Sequence, residues 1–161
     1  MLDTGLLRLE LIPGKNISNI CESHEGIVLF VVPNLIDVIS EIELKYIQDH
    51  YNRFKKMNWE IVVITVDTEE EIELFQTRNK PQFIIYRDYD LTFCKSLGII
   101  GEDDVPLRRT LIIDKKHAIR RIFKQILPKE HTQEIIKWIE LNSHQAMTIL
   151  QNGTGNNKKE I

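Results

Sequence analysis

The apolar run Ile27–Val32 constrains the fold of this chain more than any other segment. Strands that cover one face of a sheet alternate apolar and polar residues, whereas an unbroken apolar run predicts a strand that is buried on both faces. Pro33 ends the run, and apolar residues then recur at roughly helical spacing from Ile36 to Phe54. The chain is therefore expected to form an α/β domain in which a buried strand leads directly into a long helix.

The turn between this strand and this helix, Pro33–Ser40, is the first candidate site. In α/β proteins, ligands bind where the carboxyl ends of buried strands meet the helices that follow them. The polar residues of the turn include Asn34, Asp37 and Ser40, and it contains neither cysteine nor histidine. An architecture typical of an active site is thus combined with residues that are unpromising for catalysis.

Strands and helices alternate along the rest of the chain. The later predicted strands are Glu60–Val66, Phe83–Tyr86, Arg109–Ile113 and Ala118–Phe123, of which the last two form a hairpin. The later predicted helices are Glu69–Arg78, capped by the pair Asp67-Thr68, Asp88–Leu97, ended by Gly98, and Glu130–Leu141. An N-terminal hairpin is expected from Leu6–Leu11 and Lys15–Ile20. This order predicts a mixed five-stranded sheet with helices on both faces.

Length and charge favour a single soluble domain. The chain has 161 residues, and we expect a domain over residues 1–150 and a disordered tail over residues 151–161, which are rich in Gly, Asn and Lys. No apolar stretch is long enough to cross a bilayer, and the N-terminus lacks the pattern of a secretory signal. A net charge of −3 offers no electrostatic footprint for nucleic acid. We therefore expect a cytoplasmic protein without a membrane or nucleic-acid partner.

The two cysteines, Cys21 and Cys94, lie far apart in the sequence and form no CxxC motif. This usage is typical of a reducing compartment, where thiols are structural or redox-active and are not bridged. We predict no disulfide between them. Cys94 is interpreted as a buried, inert thiol, and Cys21 as an exposed thiol that nothing activates.

No residue pattern predicts a metal ion or a cofactor. The histidines lack the spacing of metal ligands, and surface or capping roles are expected for His24, His50, His117, His131 and His144. The acidic loop Gly101–Asp104 is interpreted as a turn and not as a cation site. Nucleotide binding has no support because the sequence contains neither GxGxxG nor GxxxxGK[ST].

Several short motifs follow one another in a characteristic order from Pro33 onward. The first helix ends in Phe54-Lys55-Lys56, the second strand ends in Asp67-Thr68, and a later helix ends in Leu97-Gly98-Ile99. The fourth strand lies within RRTLIIDK, Arg108–Lys115. In this order the motifs resemble the peroxiredoxins, most closely the PrxQ (bacterioferritin comigratory protein) and alkyl hydroperoxide reductase–thiol-specific antioxidant branch. The resemblance implies a thioredoxin-like, peroxiredoxin-type fold.

In the peroxiredoxins a Pro-x-x-x-Thr-x-x-Cys motif occupies the same strand-to-helix turn. Its cysteine attacks the peroxide, its threonine orients the substrate, and an arginine from a later strand lowers the thiol pKa. By resemblance, Pro33 matches the proline and Arg108 matches the arginine. Asp37, however, stands in place of the threonine, Ser40 in place of the nucleophile, and Lys45 where the PrxQ branch often has its resolving cysteine.

The sequence leaves three functions open. The favoured one is a peroxiredoxin-like protein that lacks the peroxidatic and resolving cysteines and acts by binding, as a homodimer or with a protein partner, because a serine hydroxyl has no sulfenic-acid chemistry. A second is a thioredoxin-dependent thiol peroxidase, active in cell redox homeostasis, that uses Cys94 or Cys21 and a thioredoxin-like reductant. A third is an anion or small-molecule binder at Arg108 beside the helix N-terminus, unless Asp37 neutralises that arginine.

Overall fold

The computed structural model describes residues 17–124 and 126–152, with side chains as far as residue 142. The helices are α1 (Ile17–Glu22), α2 (Val38–Asp49), α3 (Tyr51–Lys56), α4 (Glu69–Asn79), α5 (Thr92–Leu97) and α6 (Pro128–Asn152). The strands are β1 (Gly26–Val31), β2 (Trp59–Thr65), β3 (Ile84–Arg87), β4 (Arg109–Asp114) and β5 (Ile119–Phe123). Short 3₁₀ turns at Tyr89–Leu91 and Glu102–Asp104 connect the later elements.

The five strands form one mixed sheet in the order β3-β2-β1-β4-β5. β1, β2 and β3 are parallel, whereas β4 pairs antiparallel with β1, and β5 pairs antiparallel with β4. All residues of β1 and β2 are buried, as expected for central strands that are covered on both faces. The predicted mixed five-stranded sheet and its closing hairpin are therefore confirmed.

Each face of the sheet packs against its own group of helices, because successive side chains of a strand point to opposite faces. Val28 and Phe30 of β1 pack with α2, α3, α4 and α6 on what we call the α2 face. Ile27 and Leu29, the alternate residues of the same strand, pack with α1 and α5 on what we call the α5 face. In the described part of the chain, the sheet therefore separates two hydrophobic cores.

The N-terminal hairpin is not supported where the structure describes it. Leu6–Leu11 lies outside the described residues, but the predicted partner strand, Lys15–Ile20, is wrong because the chain forms α1 from Ile17. Ile17 and Cys21, four residues apart, are the buried residues of this helix. A helical stripe that covers the α5 face thus prevails over the weak strand pattern.

The remaining differences concern where elements begin and end. His50, with a φ of −109°, separates α2 from α3, so the predicted long helix is two helices. Of the predicted capping pair, Thr68 is the residue that caps α4, through a capping box with Glu71. Gly98 ends α5 with a φ of +69°, as predicted. α6 extends to Asn152 and so includes the first two residues of the predicted tail, while residues 153–161 lie outside the described part of the chain.

Candidate functional site

The turn after β1 is held in place by side-chain acceptors. The amide oxygen of Asn34 accepts hydrogen bonds from the backbone N–H groups of Ile36 and Asp37, at 3.1 and 2.8 Å. The N–H of Leu35 donates to the carboxylate of Asp67, beyond the end of β2, at 2.8 Å. These bonds place the N-terminus of α2 at the carboxyl edge of the parallel strands.

Asp37 is the N-cap of α2 and binds Ser40 twice. Its Oδ1 accepts the backbone N–H of Ser40 at 2.8 Å, which satisfies one of the free amide groups of the first helical turn. Its Oδ2 accepts the Ser40 hydroxyl at 2.9 Å. Ser40 has no solvent-exposed surface, so the orientation of its hydroxyl is set by these neighbours.

Arg108, just before β4, completes the cluster. Its Nη2 donates to both carboxylate oxygens of Asp37, at 3.2 and 3.3 Å. Its Nη1 donates to the Ser40 hydroxyl at 2.9 Å and to Oε1 of Glu43 at 3.0 Å. The structure thus brings together Asp37, Ser40 and Arg108, although the arginine is distant in sequence. We call these three residues and Glu43 the Arg108 cluster.

Glu43 was not among the residues selected from the sequence. It lies one helical turn after Ser40, on the buried side of α2, and is only 1% exposed. Its Oε2 has no hydrogen-bond partner among the described residues. The available signal was a charged residue close to Leu44 and Ile47 on the apolar side of a helix, which implies a buried partner. Sequence alone does not identify that partner as Arg108.

The two carboxylates of the cluster have opposite pKa shifts. Burial opposes the charge of Asp37, but hydrogen bonds from Ser40 and the charge of Arg108 outweigh it, so the pKa of Asp37 lies below its ordinary value. Deeper burial raises the pKa of Glu43 to about 7, although Arg108 acts in the other direction. At neutral pH the guanidinium of Arg108 therefore faces the ionised carboxylate of Asp37 and the carboxyl group of Glu43, which titrates near this pH.

The sequence model of the AhpC/TSA family matches residues 14–122 of this chain, which is more than half of its length. The chain belongs to the AhpC/TSA family. It is 27% identical over 96 residues to the chloroplastic peroxiredoxin Q of Sedum lineare, a match that covers 58% of this chain and 52% of that protein. The corresponding protein of Arabidopsis thaliana is 26% identical over 96 residues, covering 58% and 44%. The chain thus spans about half the length of the curated relatives it matches.

Solved structures of this family share the fold. A PrxQ mutant of Xylella fastidiosa superposes with a TM-score of 0.78 at 18% identity, covering 89% of this chain and 98% of that one. Peroxidoxin BcpB from Mycobacterium tuberculosis gives a TM-score of 0.71 at 18% identity, covering 77% and 83%. The thioredoxin-like, peroxiredoxin-type fold expected from the sequence motifs is therefore confirmed.

Lys45 does not join the Arg108 cluster. Its side chain is 77% exposed and lies 3.9 Å from Asp49, one turn further along α2. An exposed pair of this kind contributes little to stability. This AhpC/TSA family member therefore carries a solvent-facing lysine at the position that the motif comparison assigns to a resolving cysteine.

Both cysteines of this family member lie on the α5 face, away from the Arg108 cluster. The expectation of an exposed Cys21 is wrong: it has no exposed surface, and its thiol donates to the carbonyl oxygen of Asp114 at 3.0 Å. Burial raises the pKa of Cys21 to about 12. Cys94 is buried as predicted, and its pKa is raised by burial and then by the neighbouring Asp88. Both thiols are free.

Among the histidines whose side chains the structure describes, one departs from expectation, and the side chain of His144 lies outside the described part of the chain. His131 of α6 is 1% exposed, is hydrogen-bonded through Nε2 to the Thr110 hydroxyl at 2.7 Å, and meets the rings of Phe30 and Phe123 edge to face. It is therefore a core residue of the α2 face, and burial lowers its pKa. Within the described parts of the chain, no group of three or more His, Cys, Asp or Glu side chains is arranged to hold a metal ion.

No helix of the described residues is long and apolar enough to cross a membrane.

Proposed function

We propose that this AhpC/TSA family member does not reduce peroxides at the Arg108 cluster and acts instead by binding. The observation that carries the proposal is the position of the Ser40 hydroxyl, which donates to Asp37 and accepts from Arg108. By the motif comparison, Ser40 occupies the place of the peroxidatic cysteine. The cluster therefore holds an oxygen atom where the family's chemistry needs a sulfur atom.

Peroxide reduction requires a nucleophile that is itself oxidised. A thiolate attacks one peroxide oxygen, the O–O bond breaks, and sulfur becomes a sulfenic acid that a second thiol reduces. A serine oxygen has no equivalent of the sulfenic acid. Ser40 also lacks a strong base. Burial alone would raise the pKa of Asp37, but the hydrogen bonds from Ser40 and the charge of Arg108 lower it below its ordinary value. The Asp37 carboxylate is therefore a poor proton acceptor.

The two cysteines provide no obvious substitute. Cys21 and Cys94 have no exposed surface, and their thiol pKa values are raised by burial, so the thiolate needed for attack is disfavoured. Both lie across the sheet from the Arg108 cluster. Peroxidase activity through either thiol would thus proceed without the guanidinium of Arg108.

The Arg108 cluster also disfavours an anion as its ligand. Nη1 and Nη2 of Arg108 already donate to Glu43 and Asp37. An incoming phosphate or carboxylate would have to break these hydrogen bonds. The anion would then lie beside the carboxylates of Asp37 and Glu43, which repel it. We therefore do not propose that the Arg108 cluster binds anions.

The surface beside the cluster supports binding to a protein. Ile36, Val38 and Ile39, at and before the first turn of α2, are 68%, 71% and 47% exposed. Apolar side chains that are exposed together at one place mark protein–protein contacts more often than single ones do. We propose that this surface is buried in a homodimer or against a protein partner, and that Val38→Glu weakens the association.

A peroxide-consumption assay tests the loss of activity. The wild-type protein, supplied with dithiothreitol or a thioredoxin system, is expected to consume peroxide no faster than the Cys21→Ser/Cys94→Ser double variant. Turnover clearly above that variant would overturn the proposal and assign the activity to a thiol. Ser40→Cys, alone and with Asp37→Thr, serves as a control because it restores the sulfur to the same position. Light scattering of wild type and Val38→Glu tests the association separately.

A further inference from the structure

A cavity of about 450 Å³ lies on the α5 face, on the other side of the sheet from the Arg108 cluster. Three cationic side chains line it: Lys95 of α5, Arg109 at the start of β4, and Lys124 just after β5. No acidic side chain is among the described residues that line it. We call it the Arg109 cavity.

The positive charges of the Arg109 cavity are not neutralised by the described part of the chain. No carboxylate there lies within ion-pair distance of Lys95, Arg109 or Lys124. Nη1 of Arg109 instead donates to the backbone carbonyl of Arg108 at 2.8 Å, with a longer contact of 3.5 Å to the carbonyl of Lys124. These neutral acceptors hold the guanidinium in place and leave its charge unpaired.

The remaining walls of the Arg109 cavity are largely apolar. Leu97, Leu111 and Ile122 line it, and Leu111 is only 1% exposed. Leu97 and Ile122 are partly buried and pack against the core of the α5 face. The cavity thus combines a hydrocarbon surface with one sign of charge, and its volume lies within the range of small-molecule sites.

We propose that the Arg109 cavity binds a small organic anion with an apolar body, such as a medium-chain carboxylate or alkyl phosphate. The anionic head lies against Arg109, Lys95 and Lys124, where a guanidinium offers paired donors to two oxygens of one group. The hydrocarbon body covers Leu97 and Ile122, which are partly exposed, and removes their apolar surface from water. This site is independent of the Arg108 cluster and of whether that cluster reduces peroxides.

The test is a heteronuclear NMR titration of the full-length protein with octanoate, octyl phosphate, octylammonium and inorganic phosphate. Octanoate or octyl phosphate is expected to shift the amide signals of residues 96–99 and 122, and the tighter of the two identifies the preferred head group. Octylammonium tests the charge requirement, and inorganic phosphate tests the need for an apolar body. Equal binding of either control at these residues would overturn the proposal, as would no binding of the two octyl anions.

Matched charge variants locate the binding. Lys95→Gln/Lys124→Gln removes two cations from the cavity and is expected to weaken octyl anion binding by roughly fivefold or more. Lys115→Gln/Lys116→Gln removes the same charge from the exposed β4–β5 turn, at the opposite end of β4 from Arg109, and is expected to leave binding unchanged. Equal loss in both variants would mean that net charge alone attracts the anion, which contradicts the proposal.

Discussion

Arg108 and Arg109 are consecutive residues in opposite electrostatic surroundings. Arg108 contacts the N-terminus of α2 and donates to two carboxylates, those of Asp37 and Glu43. Arg109 lines a cavity on the other face of the sheet, where its recorded hydrogen bonds are to backbone carbonyls. The alternation of side chains along an extended segment is enough to give one cation a structural role and to leave the other available to a ligand.

The same division separates the thiols from the cation that would activate them. Cys21 and Cys94 belong to the core of the α5 face, whereas Arg108 and Ser40 meet at α2. A reactive cysteine needs a thiol and an activating charge at one place. In this chain the α2 face has the charge without the thiol, and the α5 face has the thiols in buried positions.

The largest predicted difference between the faces is the effect of removing each arginine. Arg108→Met leaves Asp37 and the buried Glu43 without their cation, and we expect a loss of roughly 3 kcal/mol in unfolding free energy near pH 8. Arg109→Met removes a charge that has no carboxylate partner in the described chain, and we expect a loss of about 1 kcal/mol or less. Urea unfolding of both variants measures the difference.

The pH dependence of this loss provides its control. Near pH 5 Glu43 is protonated in the native state, because burial raises its pKa to about 7. Arg108→Met should therefore cost less at that pH than near pH 8. An equal loss at both pH values would show that Glu43 is not part of the effect.

The buried strands, the closing hairpin and the helix caps were predictable because they depend on local patterns. Ile27–Val32 is apolar throughout, and Thr68 lies directly before a run of glutamates. The proximity of Asp37 and Arg108 was predictable only from the resemblance to the peroxiredoxins, because no local sequence pattern connects residues that lie so far apart in the chain. The burial of Cys21 could not be predicted from its own segment. Cys21 is buried because α1 packs on the α5 face of the sheet, and the local sequence does not show where α1 packs.

The Arg109 cavity was not predictable for a related reason. Its lining comes from α5, β4 and the end of β5, and each segment alone shows only an ordinary exposed lysine or arginine. Basic residues at such positions are usually solvated surface. Only the tertiary arrangement shows that the three cations share one cavity, and that no acidic residue of the described chain lines it.

Glu43→Gln tests the titration of the Arg108 cluster directly. The pKa of Glu43 is about 7 in the native state, whereas its ordinary value is 4.5. Between these two pH values the native state therefore binds the Glu43 proton more tightly than the unfolded state does. Raising the pH through this window therefore removes stability from the wild type, on the order of 2 to 3 kcal/mol, and the glutamine variant should not show this loss. Unfolding free energies measured from about pH 5 to pH 8 give the two slopes, and parallel slopes would contradict the assignment.

Two serines give a smaller and matched comparison. Ser40→Ala removes a buried hydroxyl that bonds Asp37 and Arg108, and we expect a loss of about 1 to 2 kcal/mol. Ser96→Ala removes a hydroxyl at the Arg109 cavity that donates only to the carbonyl of Phe93, at 2.6 Å in an accessible part of α5, and we expect a change within about 0.5 kcal/mol. Thermal unfolding of both variants at one pH tests this ranking. A larger loss for Ser96→Ala would reverse it.

The smallest effect concerns repulsion within the Arg109 cavity. One cavity is lined by Lys95, Arg109 and Lys124 and by no acidic residue of the described chain, so the mutual repulsion of the three cations destabilises the ligand-free protein slightly. Lys95→Gln/Lys124→Gln should therefore raise the unfolding free energy by a few tenths, roughly 0.3 kcal/mol, at low ionic strength. Salt screens exposed charges, so this gain should vanish at high ionic strength. Because Lys45 on the α2 face lies 3.9 Å from the carboxylate of Asp49, Lys45→Gln should show no such gain. A gain of equal size there would remove the distinction between the two faces.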